Sequence, residues 1–220
     1  LSFTFIMIPR ALISAKRVAE VLNRNIDIQD PMEPSPLPNT FNGEIEFKNV
    51  SFQYADAPQP ILKNISFKAK ANQTTAFIGS TGSGKSTLIH LIPRFYDVSE
   101  GQILIDGIDI KSMKQHDLHT LIGYVPQQGI LFSGSIEKNI MFGQEEKDVE
   151  SIKKAAEIAQ ADTFIESFEG NYEYLIAQGG KNVSGGQRQR LSIARAIAKQ
   201  PRIYIFDDSF SALDYQTDQA

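Results

Sequence analysis

Residues Gly79-Ser80-Thr81-Gly82-Ser83-Gly84-Lys85-Ser86, with Thr87 following, fit the pattern G-x-x-x-x-G-K-[ST] at every fixed position. These residue types can hold the phosphates of a nucleotide. Glycines let the backbone close around an anion without side-chain clashes, and a helix N-terminus after them adds unpaired N–H groups and positive potential. The Lys85 ammonium can reach β/γ-phosphate oxygens, and the Ser86 hydroxyl can ligate Mg2+. A second glycine-rich stretch, Ser184-Gly185-Gly186-Gln187, stands directly before Arg188-Gln189-Arg190-Leu191-Ser192. Placed at a helix N-terminus, it makes another anion-binding cap. One domain hardly needs two such caps for one triphosphate, whereas a dimer that sandwiches the nucleotide does. A third candidate is the carboxylate pair Asp207-Asp208, which ends the apolar run Ile203-Tyr204-Ile205-Phe206.

These groups need elements to hold them. Thr75-Ala76-Phe77-Ile78 predicts a short buried strand into the first loop, and Thr87 to Ile92 predicts the start of the helix after it. Ile203 to Phe206 predicts a buried parallel strand that presents its acids at the C-terminal end, where ligands bind in open α/β sheets. Gln187 to Lys199 predicts a helix stopped by Pro201. Upstream, Ile45, Phe47, Val50, Phe52 and Tyr54 alternate as a strand does, with a shift near Asn49 that predicts a bulge. Ile65, Phe67 and Ala69 give another short strand. Gln102 to Ile105 with Asp106-Gly107 reads as strand and turn, and Ile122 to Pro126 as a strand ending on Gln127-Gln128. Helical periodicity follows from about Ser135 to Phe168. Within it Val149, Ile152, Ala156 and Ala159 share a face that Asp148 is placed to cap. Gly170 to Val183 is loop-rich.

The first residues read differently. Leu1 to Ile8 are apolar but far short of the ~20 residues of a membrane-spanning helix, and they lack the basic start and cleavage site of a signal peptide. Leu12, Ala15, Ala19 and Leu22 recur at helical spacing, and Arg10, Lys16 and Arg17 sit just past the apolar run, as on the cytoplasmic side of a membrane. Two readings compete: an amphipathic surface helix, or the tail of a transmembrane helix that begins outside this chain. Between Asp30 and Asn42, Pro31, Pro34, Pro36 and Pro38 predict an extended linker, with the globular domain starting near Gly43.

Composition narrows the classes. A chain of 220 residues can bury one sizeable core plus appendages. The 22% charged and 41% hydrophobic fractions are those of an ordinary soluble domain. A net charge of −4 gives no electrostatic case for nucleic acid as a partner. No cysteine is present, which excludes disulfides and thiolate metal sites. Histidines at 90, 116 and 119 make a poor zinc set.

Taken with the phosphate loop, Ser184 to Gln187 make the sequence resemble the ATP-binding cassette (ABC) family. Specifically, it is similar to the nucleotide-binding domain of a bacterial-type multidrug or lipid exporter half-transporter, with membrane and ATPase parts in one chain. The resemblance implies an α/β fold: a P-loop NTPase core, an antiparallel β subdomain and an inserted helical subdomain at about 128–200. It implies ATP and Mg2+ as ligands, with Gly79, Ser80, Thr81, Gly82, Ser83, Gly84, Lys85, Ser86 and Thr87 around the phosphates. Tyr54 matches the aromatic residue stacked on adenine. Gln127 matches the glutamine that contacts Mg2+ and senses the transmembrane domain. Asp207 matches the Walker B aspartate, and Asp208 follows it where a catalytic glutamate is usual. Ser184, Gly185, Gly186 and Gln187 match the signature that completes a partner's ATP site, with Val183 where leucine is usual. Ser211, Ala212, Leu213 and Asp214 match the loop crossing the dimer interface.

On that resemblance residues 1–30 are the end of the last transmembrane helix and its cytoplasmic extension, 31–43 the linker, and 44–220 the nucleotide-binding domain. Gln178 stands where exporters often carry glutamate. A switch histidine is expected beyond Ala220, so the chain is expected to be part of a longer protein. The implied partners are its own transmembrane domain, the cell membrane with this domain on the cytoplasmic side, and a second half-transporter, a heterodimer rather than a homodimer. Two other functions compete. A regulatory module that binds ATP and hydrolyses it poorly suits Asp208. A soluble cassette protein of DNA repair or translation is disfavoured by the linker, the basic-flanked N-terminus and the acidic balance.

Overall fold

Alternation turns one face of β1 (Ile45–Phe52) inward, so that Ile45, Phe47, Val50 and Phe52 are all buried. The pairing register of β1 shifts between Phe47 and Val50, and Asn49 takes a φ of 49°. This is the bulge expected from the sequence, and it returns Val50 to the core side after the odd spacing. β1 pairs antiparallel with β2 (Leu62–Ala69) and β3 (Glu100–Ile105). Phe47 stacks on Phe67 across the first pair at 4.5 Å between centroids. At φ 78°, Gly101 passes so close to the bulge that a Cβ would meet the Lys48 carbonyl oxygen at 2.3 Å. After Asp106-Gly107, both at positive φ, the chain turns back as β4 (Ile108–Asp109), giving sheet order β2-β1-β3-β4.

These strands belong to a computed structural model that describes residues 2–24, 26–37, 40–144 and 148–209. Within it, β5 (Ile122–Val125) and β8 (Ile203–Phe206) pair in parallel, with Val125 opposite Phe206. The parallel pairing is as expected, but burial of β8 is one-sided: Ile203 and Ile205 are inside, Tyr204 and Phe206 outside. The strand predicted over Thr75 to Ile78 is not found. Among the described residues no strand pairs with it, and Ile78 is 97% exposed, while Phe77 leans on the core. Apolar side-chain types report a wish for burial, whereas a strand exists only where a neighbour pairs its backbone.

Helices supply the second layer: α2 (Lys85–Leu91), α3 (Gln115–Leu121), α4 (Ile136–Ile140), α5 (Val149–Ile158), α6 (Asp162–Ser167) and α7 (Gly185–Ala198). A short antiparallel pair, β6 (Gly134–Ser135) with β7 (Leu175–Ile176), braces α4. Asp148 caps α5 as expected, accepting from the Glu150 N–H at 3.1 Å. The inward face of α5 differs from the expected one at a single position. Ile152, Ala156 and Ala159 are buried, but Val149 is 51% exposed and Ala155 is inside in its place. Two apolar cores result. One lies under the antiparallel sheet and α2; the other lies within α4 to α7. β5 joins them, with Ile122 in the first core and Val125 in the second.

The proline-rich stretch lies against the first core rather than apart from it. Asp30 Oδ1 accepts from the Gln115 N–H at the start of α3 (2.8 Å), Ser35 N–H donates to Ser112 O (2.8 Å), and Leu37 and Phe41 pack on the core. Before it runs α1 (Ser2–Leu22), a single helix that continues through Pro9 and is exposed along nearly all of Met7 to Leu22. Among the described residues no helix is long and apolar enough to cross a membrane.

Candidate functional site

Six backbone units from Gly79 to Gly84 form an exposed loop over the start of α2. Gly84 turns it at φ 88°, and a Cβ there would meet Ile61 Cγ2 and Leu62 Cδ2 at 3.1 Å each, so the residue must be glycine. Lys85 folds its ammonium back into the mouth of the loop, donating to Gly79 O at 2.8 Å and Ser80 O at 2.9 Å. Because α2 has only seven residues, the positive potential here comes mainly from the loop N–H groups and this ammonium, and less from a long helix dipole. Thr87, one residue past Ser86, is buried and its hydroxyl lies 3.2 Å from Tyr54 Oη. Tyr54 in turn meets Phe52 and Tyr96 edge-on at 4.8 and 5.1 Å. The fold thus brings Tyr54 beside the loop's helix.

The central contact joins two expected residues 121 positions apart. Ser86 Oγ donates to Asp207 Oδ1 at 2.9 Å. Asp207 is 9% exposed, at the end of β8, where its own N–H continues the pairing to Val125 O. Its partners among the described residues are two hydroxyls, of Ser86 and Tyr124, and the His90 ring. Lysine is absent from that set, since Lys85 is occupied by carbonyls.

A buried carboxylate in such company fits a cation. The donor pair of Ser86 hydroxyl and Asp207 carboxylate is all oxygen, as a hard cation requires. Among the described residues no group of three or more His, Cys, Asp or Glu side chains gathers into a metal cage. Mg2+ needs none, being held commonly by one or two carboxylates plus substrate phosphates. Ser86 and Asp207, already in contact, are therefore the residues that would hold it; Gln127, the third residue expected there, is joined instead to Asp208.

Gln127 and Asp208, 81 positions apart, also meet: Gln127 Nε2 donates to Asp208 Oδ2 at 3.2 Å. Asp208 sits at φ 46°, in the left-handed region where aspartate is several-fold enriched. The signature residues form the N-terminus of α7 and cap it reciprocally. Ser184 Oγ accepts from the Gln187 N–H at 3.2 Å, and Gln187 Oε1 accepts from the Ser184 N–H at 2.9 Å. Ser184 and Gly185 are exposed, and the nearest atom to a Cβ on Gly185 is Arg188 Nη2 at 4.0 Å. Among the described residues no hydrogen bond joins this cap to the phosphate loop. Ser211, Ala212, Leu213 and Asp214 lie outside the described residues.

Sequence reasoning missed three side chains. Gln189, 1% exposed, accepts from the Gly129 N–H at 2.9 Å and donates to Pro126 O at 3.1 Å, tying α7 to the segment that carries Gln127. Its place three and four residues before buried Ser192 and Ile193 puts it on the inward face of α7, a signal that could have found it. His90 and Tyr124 had no such signal; they acquire a role only by meeting Asp207.

Residues 62–211 match the ABC transporter family. An uncharacterized ABC transporter ATP-binding protein of Mycobacterium tuberculosis is 42% identical over 99% of this chain. Another of Bacillus subtilis is 43% identical over 98%. ABC transporter B family member 14 of Arabidopsis thaliana is 38% identical over 96%. The chain spans 38%, 37% and 17% of these relatives, respectively. Among solved structures, a bacterial Atm1-family ABC exporter with ATP bound superimposes with a TM-score of 0.87, at 36% identity over 96% of this chain and 37% of that one.

Proposed function

The chain belongs to the ABC transporter family, and from that premise we propose that it is the ATP-binding, ATP-hydrolysing domain of an exporter subunit. Its fold is that of an ABC ATPase: a P-loop core with an antiparallel β subdomain and an inserted helical subdomain. ATP closes a dimer of such domains, hydrolysis reopens it, and the motion drives export through a membrane domain. The observation that carries this reading is the 2.9 Å contact of Ser86 with Asp207, which sets a hydroxyl and a carboxylate beside the phosphate loop. When bound, Mg2+ supplies charge neutralisation for the phosphates. The loop N–H groups orient the triphosphate, and Lys85 exchanges its two carbonyl contacts for phosphate oxygens. Asp208 accepts the proton of the attacking water.

Tyr54 is proposed to stack on adenine and Ser184 to Gln187 to complete a partner's ATP site. Residues 1–30 are proposed to continue the last transmembrane helix into the cytoplasm, with 31–43 linking it to the domain at 44–220. This places the domain on the cytoplasmic side of a cell membrane, in a heterodimer with a second half-transporter. The aspartate at 208, one methylene shorter than the usual glutamate, favours a second reading for this chain's own site, a regulatory ATP-binding module that hydrolyses slowly.

Lys85→Ala should weaken MgATP binding by roughly ten- to a hundredfold, the loss of a charge-assisted contact of ~1.5–3 kcal/mol. Calorimetric titration checks it, and unchanged affinity would remove Lys85 from the site.

A further inference from the structure

Behind the phosphate loop, two side chains from two elements converge on one oxygen of the Asp207 carboxylate. His90, in the last turn of α2, places Nε2 2.9 Å from Tyr124 Oη and 3.6 Å from Asp207 Oδ2. Tyr124, on β5, places its hydroxyl 3.5 Å from the same Oδ2. The other carboxylate oxygen, Oδ1, takes the Ser86 hydroxyl at 2.9 Å. Phe95 fixes the two rings from the side, with centroids 5.9 Å from His90 and 5.5 Å from Tyr124. A carboxylate oxygen only accepts, so the Tyr124 hydroxyl is the donor in this contact. With Tyr124 donating to Oδ2, the short contact behind it makes His90 Nε2 the donor to Tyr124 Oη.

Resting on the functional reading above, we propose that Tyr124 and His90 are positioning residues for the Asp207 carboxylate. They engage Oδ2 from behind and so present Oδ1 beside Ser86 for the metal that accompanies ATP. Without them the carboxylate can rotate about its terminal bond, whose barrier is broad and low. A ligating carboxylate held by outer-shell hydrogen bonds binds its metal more tightly, and loss of such a partner commonly costs 10–100-fold in affinity.

The test uses Mn2+ as probe, its dissociation constant read by electron paramagnetic resonance on the full-length protein with ATP present. Tyr124→Phe keeps the ring against Phe95 and deletes the donor; it should weaken Mn2+ binding about tenfold. His90→Leu should weaken it comparably, and His90→Gln, which restores an N–H donor, should recover most of the loss. ATP affinity measured without metal should not change in any of the three. Unaltered Mn2+ affinity in Tyr124→Phe, or an equal loss of metal-free ATP binding, overturns the proposal and leaves the functional reading standing. A wild-type protein that binds no Mn2+–ATP overturns both.

Discussion

Asp208→Glu in the full-length protein should raise ATP turnover at this chain's own site by about 100-fold. The aspartate carboxylate is one methylene short of a glutamate, which sets it more than ~1 Å back from the attacking water, and a misplacement of that size can cost ~10²-fold. That factor is about 2.7 kcal/mol of barrier, inside the roughly 3–5 kcal/mol that a positioned base supplies in all. The backbone works the other way. At φ 46° aspartate is more at ease than glutamate, and left-handed strain costs on the order of 1–2 kcal/mol per residue. This cost falls on folding, while the gain falls on the chemical step, so the two appear in different measurements. A melting midpoint slightly lowered with single-site turnover raised is the expected pair. Turnover that does not rise would mean that Asp208 is not the limiting feature.

The second large effect lies at the other end of the domain. Gly185→Asp should abolish most ATP hydrolysis by the assembled transporter, a loss of 10²-fold or more if a carboxylate meets the partner's γ-phosphate, where preorganised donors are usually worth ~10²–10³. The fold itself should tolerate the change. A Cβ on Gly185 meets nothing nearer than 4.0 Å, and an acid in the first turn of α7 is mildly stabilising. Loss of activity therefore reports on the partner's site and not on unfolding. Lys85→Ala, which disables this chain's own site, should leave a larger residue of hydrolysis if that site is the slow one of the proposed heterodimer. Equal losses from the two substitutions, or full transport by this subunit alone, would rule out the asymmetric heterodimer.

The sequence by itself determined every feature that depends on neighbours a few residues apart. The phosphate loop, the helix N-terminus at Ser184, the cap at Asp148, the bulge at Asn49 and the turn at Asp106-Gly107 are local: residue type and spacing set their backbone angles and nearest hydrogen bonds. What only the tertiary structure decided are meetings across long stretches of chain. Ser86 with Asp207, Gln127 with Asp208, and Gln189 with the 126–129 segment are polar contacts between elements far apart in sequence. The resemblance groups the first four residues around one nucleotide, but which atoms meet, and the whole of the Gln189 contact, are set by packing. The residues at 75–78 and 149 make the same point in reverse. Both are apolar enough to belong inside, yet Ile78 and Val149 stand in solvent, because burial and strand pairing require a second surface whose place is set by packing and not by the segment that needs it.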